Sequence, residues 1–530
     1  MNDDIADEQD EQEDHEPKAP EQAPFSEDDL RVALDVLEAV VRDRAVLAHV
    51  PREARVRLLE AAGRVSRPDR AEQRRLAKAL RRKDRLAVKA EDAALLDATG
   101  IRAGRRATVF QTPPPSFGAL PGPAEAPPPP AELSDARKCY VCKAEFRKIH
   151  FFYDQLCPPC AELNYTKRTQ TADLRGRVAV VTGARVKIGY QAAILLLRAG
   201  ARVVVTTRFP HDAALRYARE SDYEAWAERL EIHGLDLRLT PSVERFARFL
   251  EGHLPRLDFI IHNACQTVRR PPGFYEHLLG TELQSPDRLP PEAARLVASH
   301  EAERAAQRAL AQANEVALAP RAGSLALFED SAALSQIPLT AEDHALRGRV
   351  DLFPRGALDA DLQQIDLRDK NSWRLALAEV PTIELLEVHL VNAIAPFVLS
   401  SKLKGLMTRH PSRDKHIVNV SAMEGQFYRE HKTDKHPHTN MAKAALNMLT
   451  RTSAQDYVKD GIHINSVDTG WVTDEDPAEI AARKQSIHGF HPPLDIVDGA
   501  ARIVDPIFEG FATGSHAYGQ FFKDYKPTPW

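Results

Sequence analysis

The sequence predicts an α/β protein: a doubly wound parallel sheet carrying a large insertion, preceded by a small zinc module and an N-terminal helical bundle. Three observations carry this reading. An apolar strand at Val178–Thr182 runs into a glycine-bearing turn and then a helix at 190–198, and a second strand at 202–206 follows at βαβ spacing. Apolar strands and helical stretches continue to alternate toward the C-terminus, as a doubly wound sheet requires. Upstream, two CxxC pairs stand close together after a proline-rich run.

Length and charge bound the rest. A chain of 530 residues is too long for one core and implies two to four domains. Its 71 basic and 76 acidic residues leave a net charge of -5, which argues against a general nucleic-acid-binding surface. The acidic N-terminus is unlike a signal peptide, and no apolar run approaches the roughly 20 residues that span a bilayer. Four of the five cysteines fall within 22 residues in two CxxC pairs. That spacing reads as a metal site in a reducing compartment, so a cytoplasmic protein without membrane attachment is expected.

Residues 1–24 are an acidic tail (Asp3, Asp4, Asp7, Glu8, Asp10, Glu11, Glu13, Asp14) with too little apolar content to order itself; it reads as solvated, with docking as the alternative. Residues 25–110 read as a helical bundle. Ser26 N-caps the first helix, Asp29 stands at N3, and Phe25 with Leu30 makes a hydrophobic staple. Val32, Leu34, Leu37, Val40, Val41 and Leu47 supply an apolar stripe, and Pro51 and Pro68 restart the chain. The basic run Arg74, Arg75, Lys78, Arg81, Arg82, Lys83 and Arg85 lacks interleaved aromatics, so it reads as a solvated helix face. Residues 111–135 are a proline-rich, semi-rigid linker.

The zinc module is placed at 136–170. Cys139 and Cys142 are separated from Cys157 and Cys160 by fourteen residues. Two thiolates two residues apart grip one ion from a tight turn, and two such turns complete a closed tetrahedral site. Four protein ligands leave no open position, so the zinc is expected to be structural; an iron–sulfur cluster is the alternative. Phe146, Phe151, Phe152 and Tyr153 can pack around it. Docking to the sheet domain and binding a partner both remain open as its role.

The sheet domain is placed at 171–530. In the turn at 182–189, glycines let the backbone approach a pyrophosphate, and the helix N-terminus offers unpaired N–H groups. From here on the chain resembles the short-chain dehydrogenase/reductase family, whose Rossmann fold binds a nicotinamide dinucleotide. The family's TGxxxGxG turn matches 182–189, with Lys187 in place of the middle glycine. Its Asp after the third strand matches Asp236, and its NNAG matches His262-Asn263-Ala264-Cys265. Its helix-four Asn matches Asn392. Its catalytic Ser matches Ser421, at the end of a strand at 416–420. Its YxxxK aligns on Thr439-Asn-Met-Ala-Lys443, and its PG-x-V-x-T on Asp468-Thr-Gly-Trp-Val-Thr473. The resemblance implies a cofactor site from Gly183, Arg185, Lys187, Ile188, Gly189, Arg208, Asp236, Asn263, Ala264, Lys443, Gly470 and Thr473. The second strand ends in Val-Thr-Thr-Arg208, where an acidic residue would hold a ribose 2′-hydroxyl. Arg208, with Lys187 or Arg185, suits a 2′-phosphate, so NADP is expected, with NAD the alternative.

The resemblance also implies the catalytic set Asn392, Ser421, Thr439 and Lys443, in which the family's tyrosine is missing. The family's phenol moves the proton at the reacting carbonyl, and Lys holds the nicotinamide ribose. A threonine hydroxyl is far less acidic than a phenol, whose pKa is about 10. Three readings follow. A substitute donor comes from the loop before Thr439, where Tyr428, His431, His436 and His438 lie; Lys443 or Ser421 with water suffices; or the domain is a catalytically degenerate scaffold or sensor.

Between Asn263 and Asn392 lie 128 residues, and the insertion is placed at about 270–370 with one long helix over 290–320. It leaves the sheet beside the expected nicotinamide pocket, as a substrate lid, a partner-binding arm or a decorative subdomain. Cys265 at its base reads as a packing residue. The expected partners are a small carbonyl or alcohol substrate and a second copy of the chain, with a protein partner through the zinc module, helical bundle or insertion, and no nucleic acid.

Overall fold

In a computed structural model, residues 25–115, 131–315, 330–427, 432–488 and 491–530 are described. The acidic tail, most of the proline-rich run, and the candidate donors Tyr428 and His431 lie outside them. The chain divides into two compact units, Met1–Ala94 and Leu95–Trp530.

In the first unit, a helix spans Glu27–Arg42, capped as the sequence predicts: the Ser26 hydroxyl accepts from the Asp29 amide, and the Asp29 carboxylate accepts from the Ser26 amide. A 3-10 turn at Arg44–His49, a helix at Arg52–Ser66 after Pro51, and a helix starting at Arg70 follow. These helices do not form the expected bundle core. Leu47 is the single buried apolar side chain of the unit's described residues, and Leu30, Leu34, Leu37, Val41, Leu59, Leu76 and Leu80 are exposed. The predicted boundary at 110 also moves. Leu95, Leu96, Ile101 and Phe110 pack within the second unit, where the buried Arg102 pairs with Asp154 at 2.7 Å. The basic run 74–85 is exposed, as a solvated face should be.

The second unit begins with a helix at Gly100–Arg105 and a cysteine module made of an antiparallel hairpin, β1 (Glu132–Lys138) and β2 (Glu145–Lys148), and a helix at Pro158–Arg168. The sheet then contains β3 (Val178–Thr182), β4 (Arg202–Thr207), β5 (Leu230–Gly234), β6 (Phe259–His262), β7 (Lys415–Ser421), β8 (Ile462–Asp468), β9 (Phe521–Lys523) and β10 (Lys526–Thr528). Their order is β10-β9-β8-β7-β6-β3-β4-β5, parallel from β5 to β9, with β10 antiparallel. The order reverses between β3 and β6, and a doubly wound sheet binds ligands in the crevice at such a switch point, beyond the carboxyl ends of its strands.

Alternate strand residues feed two cores, because successive side chains leave opposite faces. Ala179, Val181, Val203, Val205 and Ile261 pack under helices Lys187–Arg198 and Ile496–Thr513. Val178, Val180, Val204, Ile260 and Ile417 pack under helices Thr240–His253 and Ala395–Thr408. Burial on both faces is why these strands read as apolar runs.

The insertion's helix, Pro291–Glu315, lies against β5 and helix Pro210–Tyr217, and Leu289, Ala293, Leu296 and Val297 join the sheet core. It covers the edge strand, so this part is neither a lid nor decoration. The expectation about apolar runs also needs correction: the helical stretch Thr382–Thr408 is long and apolar enough to cross a membrane. Here it is a core element, with Leu399, Leu403, Leu406 and Met407 fully buried against the sheet.

Candidate functional site

The turn after β3 is held from two sides. The Gly183 amide donates to the Thr206 carbonyl at 2.9 Å. The Asn263 side-chain amide donates to the carbonyls of Thr182 and Gly183 at 3.1 and 3.0 Å, and the Ala264 amide donates to the Thr182 hydroxyl at 3.1 Å. Gly183 has φ +68°, and a Cβ there would sit 2.7 Å from Ala264 Cα, so only glycine fits. Lys187 has φ +57°. This left-handed backbone explains the family's glycine at that position; lysine occupies it under strain. Gly189 lies in the first turn of the helix beneath Asn263, and Ile188 contributes to the apolar cluster of the cysteine module.

The basic residues divide. Arg185 is buried and paired with Asp212 at 2.6 Å. Arg208 makes no ion pair among the described residues; it donates to the Tyr275 hydroxyl at 2.8 Å and stacks over that ring at 4.6 Å. Burial would raise the Tyr275 phenol, yet the charges of Arg208, Arg270 and Arg185 outweigh it and hold the phenol below its ordinary value. Of these three, Arg185 pairs with Asp212 and Arg270 with Asp366, so the cation left without an ion pair at the end of β4 among the described residues is Arg208. Asp236, beyond β5, is 4% exposed and accepts from Arg238 at 2.7 Å; Arg238 bridges onward to Glu387 at 2.8 Å.

Across the switch point, Asn392 sits in a π-turn at Leu390–Ile394. Its side-chain oxygen accepts from the Gln266 amide at 2.8 Å and its nitrogen donates to the Gln266 carbonyl at 3.2 Å, stitching the helix to the loop after β6. π-turns are frequent at functional sites. Ser421 ends β7, and Thr439 and Lys443 share one face of helix Pro437–Tyr457. All three are at least 95% buried. Lys443 Nζ donates to the Val420 carbonyl at 2.8 Å, whereas the hydroxyls of Ser421 and Thr439 have no hydrogen-bond partner among the described residues. Gly470 has φ +74°, its amide donates to Asp468 at 3.2 Å, and Thr473 donates to Glu475 at 2.8 Å.

Two groups the sequence left unresolved are now placed. His438 is 1% exposed, and its Nε2 lies 3.5 Å from Oε1 of the buried Glu384, slightly long for a hydrogen bond. Burial raises the Glu384 carboxyl, but the neighbouring side chains of His438 and Ser372 and the charge of Arg269 outweigh it and hold the carboxyl below its usual range. His436 instead stacks on Trp373, ring centroids 3.8 Å apart and 6° from parallel, and burial pushes its imidazole down to about 4. Cys265 is exposed, 3.6 Å from the Thr267 hydroxyl, so it does not pack as expected.

Glu384, Trp373 and Tyr275 were missed from the sequence. The available signal for Glu384 was a pair of acids, Glu384 and Glu387, on one face of an otherwise apolar helix; both are buried. Tyr275 and Trp373 belong to the insertion and carry no local signal. They show that both ends of the insertion reach the site. Tyr275 meets Arg208, while Asn371 donates to the Glu475 carbonyl at 2.8 Å and Arg374 pairs with Asp476 at 3.1 Å.

The sulfurs of Cys139, Cys142, Cys157 and Cys160 lie within 4.8 Å of one another, and those of Cys142 and Cys157 are 3.5 Å apart. A Zn–S bond of about 2.3 Å puts tetrahedral sulfurs about 3.8 Å apart, so the four thiols fit one zinc ion.

A family profile described as short chain dehydrogenase matches residues 177–277, and one described as Enoyl-(Acyl carrier protein) reductase matches 358–492. The uncharacterized protein R665 of Acanthamoeba polyphaga mimivirus is 30% identical over 402 residues, covering 74% of this chain and 74% of its own. Dehydrogenase/reductase SDR family member 13 of Bos taurus is 39% identical over 118 residues, 22% of this chain and 29% of its own. The chain thus spans under a third of that second relative. A solved structure described as Pseudomonas aeruginosa RhlG/NADP active-site complex is 18% identical, with 66% of this chain and 95% of its own covered at a TM-score of 0.40.

Proposed function

The chain belongs to the short-chain dehydrogenase/reductase family, and we propose that it is an NADP-dependent oxidoreductase acting on a small carbonyl or alcohol. The observation that carries this is the proposed catalytic set: buried hydroxyls at Ser421 and Thr439, without a hydrogen-bond partner among the described residues, with Lys443 and Asn392. Drift would not be expected to keep Asn, Ser and Lys in place around the switch point. The turn at 182–189, Asn263, Ala264, Asp236 and 470–473 would hold the dinucleotide, and Arg208 its 2′-phosphate. When bound, the nicotinamide supplies or accepts the hydride.

The protein's own groups manage the oxygen and the proton. Ser421 donates to the substrate oxygen, and Lys443 holds the ribose. Thr439 is too weak an acid to replace the phenol. His438 takes that role, with Glu384 orienting the ring and balancing its charge when it carries the proton, as a carboxylate does for a catalytic imidazole. Asn392 keeps the helix and the Gln266 loop in register. The four cysteines hold a structural zinc, and exposed Leu386, Ile394, Phe397, Met441 and Met448 on neighbouring helices support self-association.

The test has two arms. NADPH should bind more tightly than NADH in fluorescence titrations, and Arg208→Ala should remove the preference; equal affinities in the wild type sink the 2′-phosphate assignment. With a panel of carbonyls, Lys443→Ala should abolish turnover and His438→Ala should slow it about 10²–10⁴-fold. Thr439 itself favours a second reading, a dinucleotide-binding scaffold. That reading stands if wild type and Thr439→Tyr both bind NADPH and neither oxidises it.

A further inference from the structure

We propose that the four-cysteine module positions the nicotinamide half of the dinucleotide site, with Tyr140 as its contact residue, so that metal occupancy sets cofactor affinity; this rests on the reading just given. Tyr140 lies in the turn between Cys139 and Cys142. Its hydroxyl accepts a hydrogen bond from the Trp471 backbone amide at 3.0 Å. Trp471 lies between Gly470 and Thr473, just after β8; β8 pairs with β7, which ends in Ser421, so this segment stands on the Lys443 side of the switch point, where the proposed site holds the nicotinamide ribose. At Gly470, a Cβ would sit 3.5 Å from the Tyr140 hydroxyl and 2.5 Å from Leu494 Cδ1, so the tyrosine and Leu494 both pack close against this backbone.

The module also holds residues 491–498, which in turn bond to Trp471. The Leu494 amide donates to the Trp471 carbonyl at 3.3 Å, and Arg105 donates to the Leu494 carbonyl at 2.8 Å. Gln155 donates to the His491 carbonyl at 2.6 Å. Arg168 forms a two-pronged pair with Asp495 at 2.5 and 2.7 Å and reaches Asp498 at 3.0 Å; Tyr153 donates to Asp498 at 2.5 Å. Cys139, Cys157, Tyr153 and Leu156 share one apolar cluster with Val472, Leu494, Ile496 and Val497, and Ile188 of the glycine turn packs against it.

A bound ion joins the turn bearing Cys139 and Cys142 to the helix start bearing Cys157 and Cys160. That junction fixes the backbone on which Tyr140 sits. The Tyr140 amide donates to the Gln155 carbonyl at 2.9 Å, so the tyrosine is held between the two cysteine pairs. Arg208, proposed for the 2′-phosphate, and Asp236 follow β4 and β5 on the other side of the switch point, and among the described residues their side chains bond to Tyr275 and Arg238 rather than to the module.

The experiment compares wild type, Tyr140→Phe and chelator-stripped full-length protein, with zinc content measured in each. Two ligands are titrated, NADPH and its adenosine 2′,5′-bisphosphate fragment, and amide hydrogen exchange is followed across 470–473. Tyr140→Phe keeps the ring and removes one hydrogen bond, so NADPH should bind about threefold to tenfold more weakly while the fragment stays within about twofold. Stripped protein should show at least the same split, and exchange at 470–473 should quicken in both. Equal weakening of both ligands, or unchanged exchange and affinity, overturns the proposal. A wild type that binds neither ligand brings down the functional reading and this inference together; ligand binding with unchanged exchange brings down the inference alone.

Discussion

Two accessory regions precede the sheet, and they use their apolar residues in opposite ways. The cysteine module, with the helix Gly100–Arg105, buries Ile101, Tyr153, Leu156 and Ala161 at 2% exposure or less, in one cluster with residues of the cofactor segment. The helices of Met1–Ala94 carry as clear an amphipathic pattern, yet Leu30, Leu34 and Val41 are 47%, 53% and 86% exposed. Periodicity shows that a helix has an apolar face; it does not show what covers that face. The module shares its core with residues 472–497 of the sheet domain, the docking that the sequence left open beside partner binding.

The largest effect that would test this contrast comes from Arg168. Its side chain is 8% exposed, and Asp498 is fully buried opposite it. Burial raises Asp498, with the neighbouring Asp495 adding to it, while Arg168 holds Asp495 down. Removing the cation leaves buried carboxylates uncompensated, so Arg168→Ala should cost the second unit about 3–5 kcal/mol in denaturant unfolding. A loss under about 0.5 kcal/mol would mean the module merely lies on the surface.

Acid gives a smaller effect of known sign. His416 is fully buried at the start of β7, and burial, then the neighbouring His463 and His516, push its imidazole well below the usual histidine range. The unfolded chain takes up a proton near pH 6.5 and the folded chain does not. The stabilisation is therefore complete above pH 6.5 and is lost as pH falls below it, by about 1.4 kcal/mol at pH 5.5 for one such histidine. Glu282, raised to about 7 mainly by burial, titrates in the opposite sense, so the useful quantity is a difference. Between pH 7.5 and 5.5, wild type should lose about 1.4 kcal/mol more than His416→Phe.

What the sequence disclosed follows the range of the interactions. The turn at 182–189, the CxxC pairs and the Ser26 cap are local patterns, and each is present as read. The strands at 178–182 and 202–207 were legible because a buried parallel strand is an apolar run. The proposed catalytic residues came in through resemblance, in their family order. What stayed hidden joins distant residues: Tyr140 to Trp471, Tyr275 to Arg208, Glu384 to His438. No propensity or period encodes such pairs. Lys187 is instructive in between: it broke the family's glycine pattern, and only its positive φ shows why glycine is usual there.

The smallest effect is the most specific test of the contrast. Leu34 and Leu156 are the same residue type at 53% and 0% exposure. Replacing Leu156 with alanine deletes buried methyl groups and leaves a cavity beside Cys157, which should cost about 2–5 kcal/mol. Leu34→Ala removes side-chain atoms that already meet water, and alanine is the better helix former, so helix content should hold and stability should move by no more than about 0.5 kcal/mol. Circular dichroism melts of both variants read the difference directly. A loss of about 2 kcal/mol or more at Leu34 would show that its face is covered in solution. Dependence of that loss on protein concentration would then identify a second copy of the chain as the cover, because association stabilises by mass action.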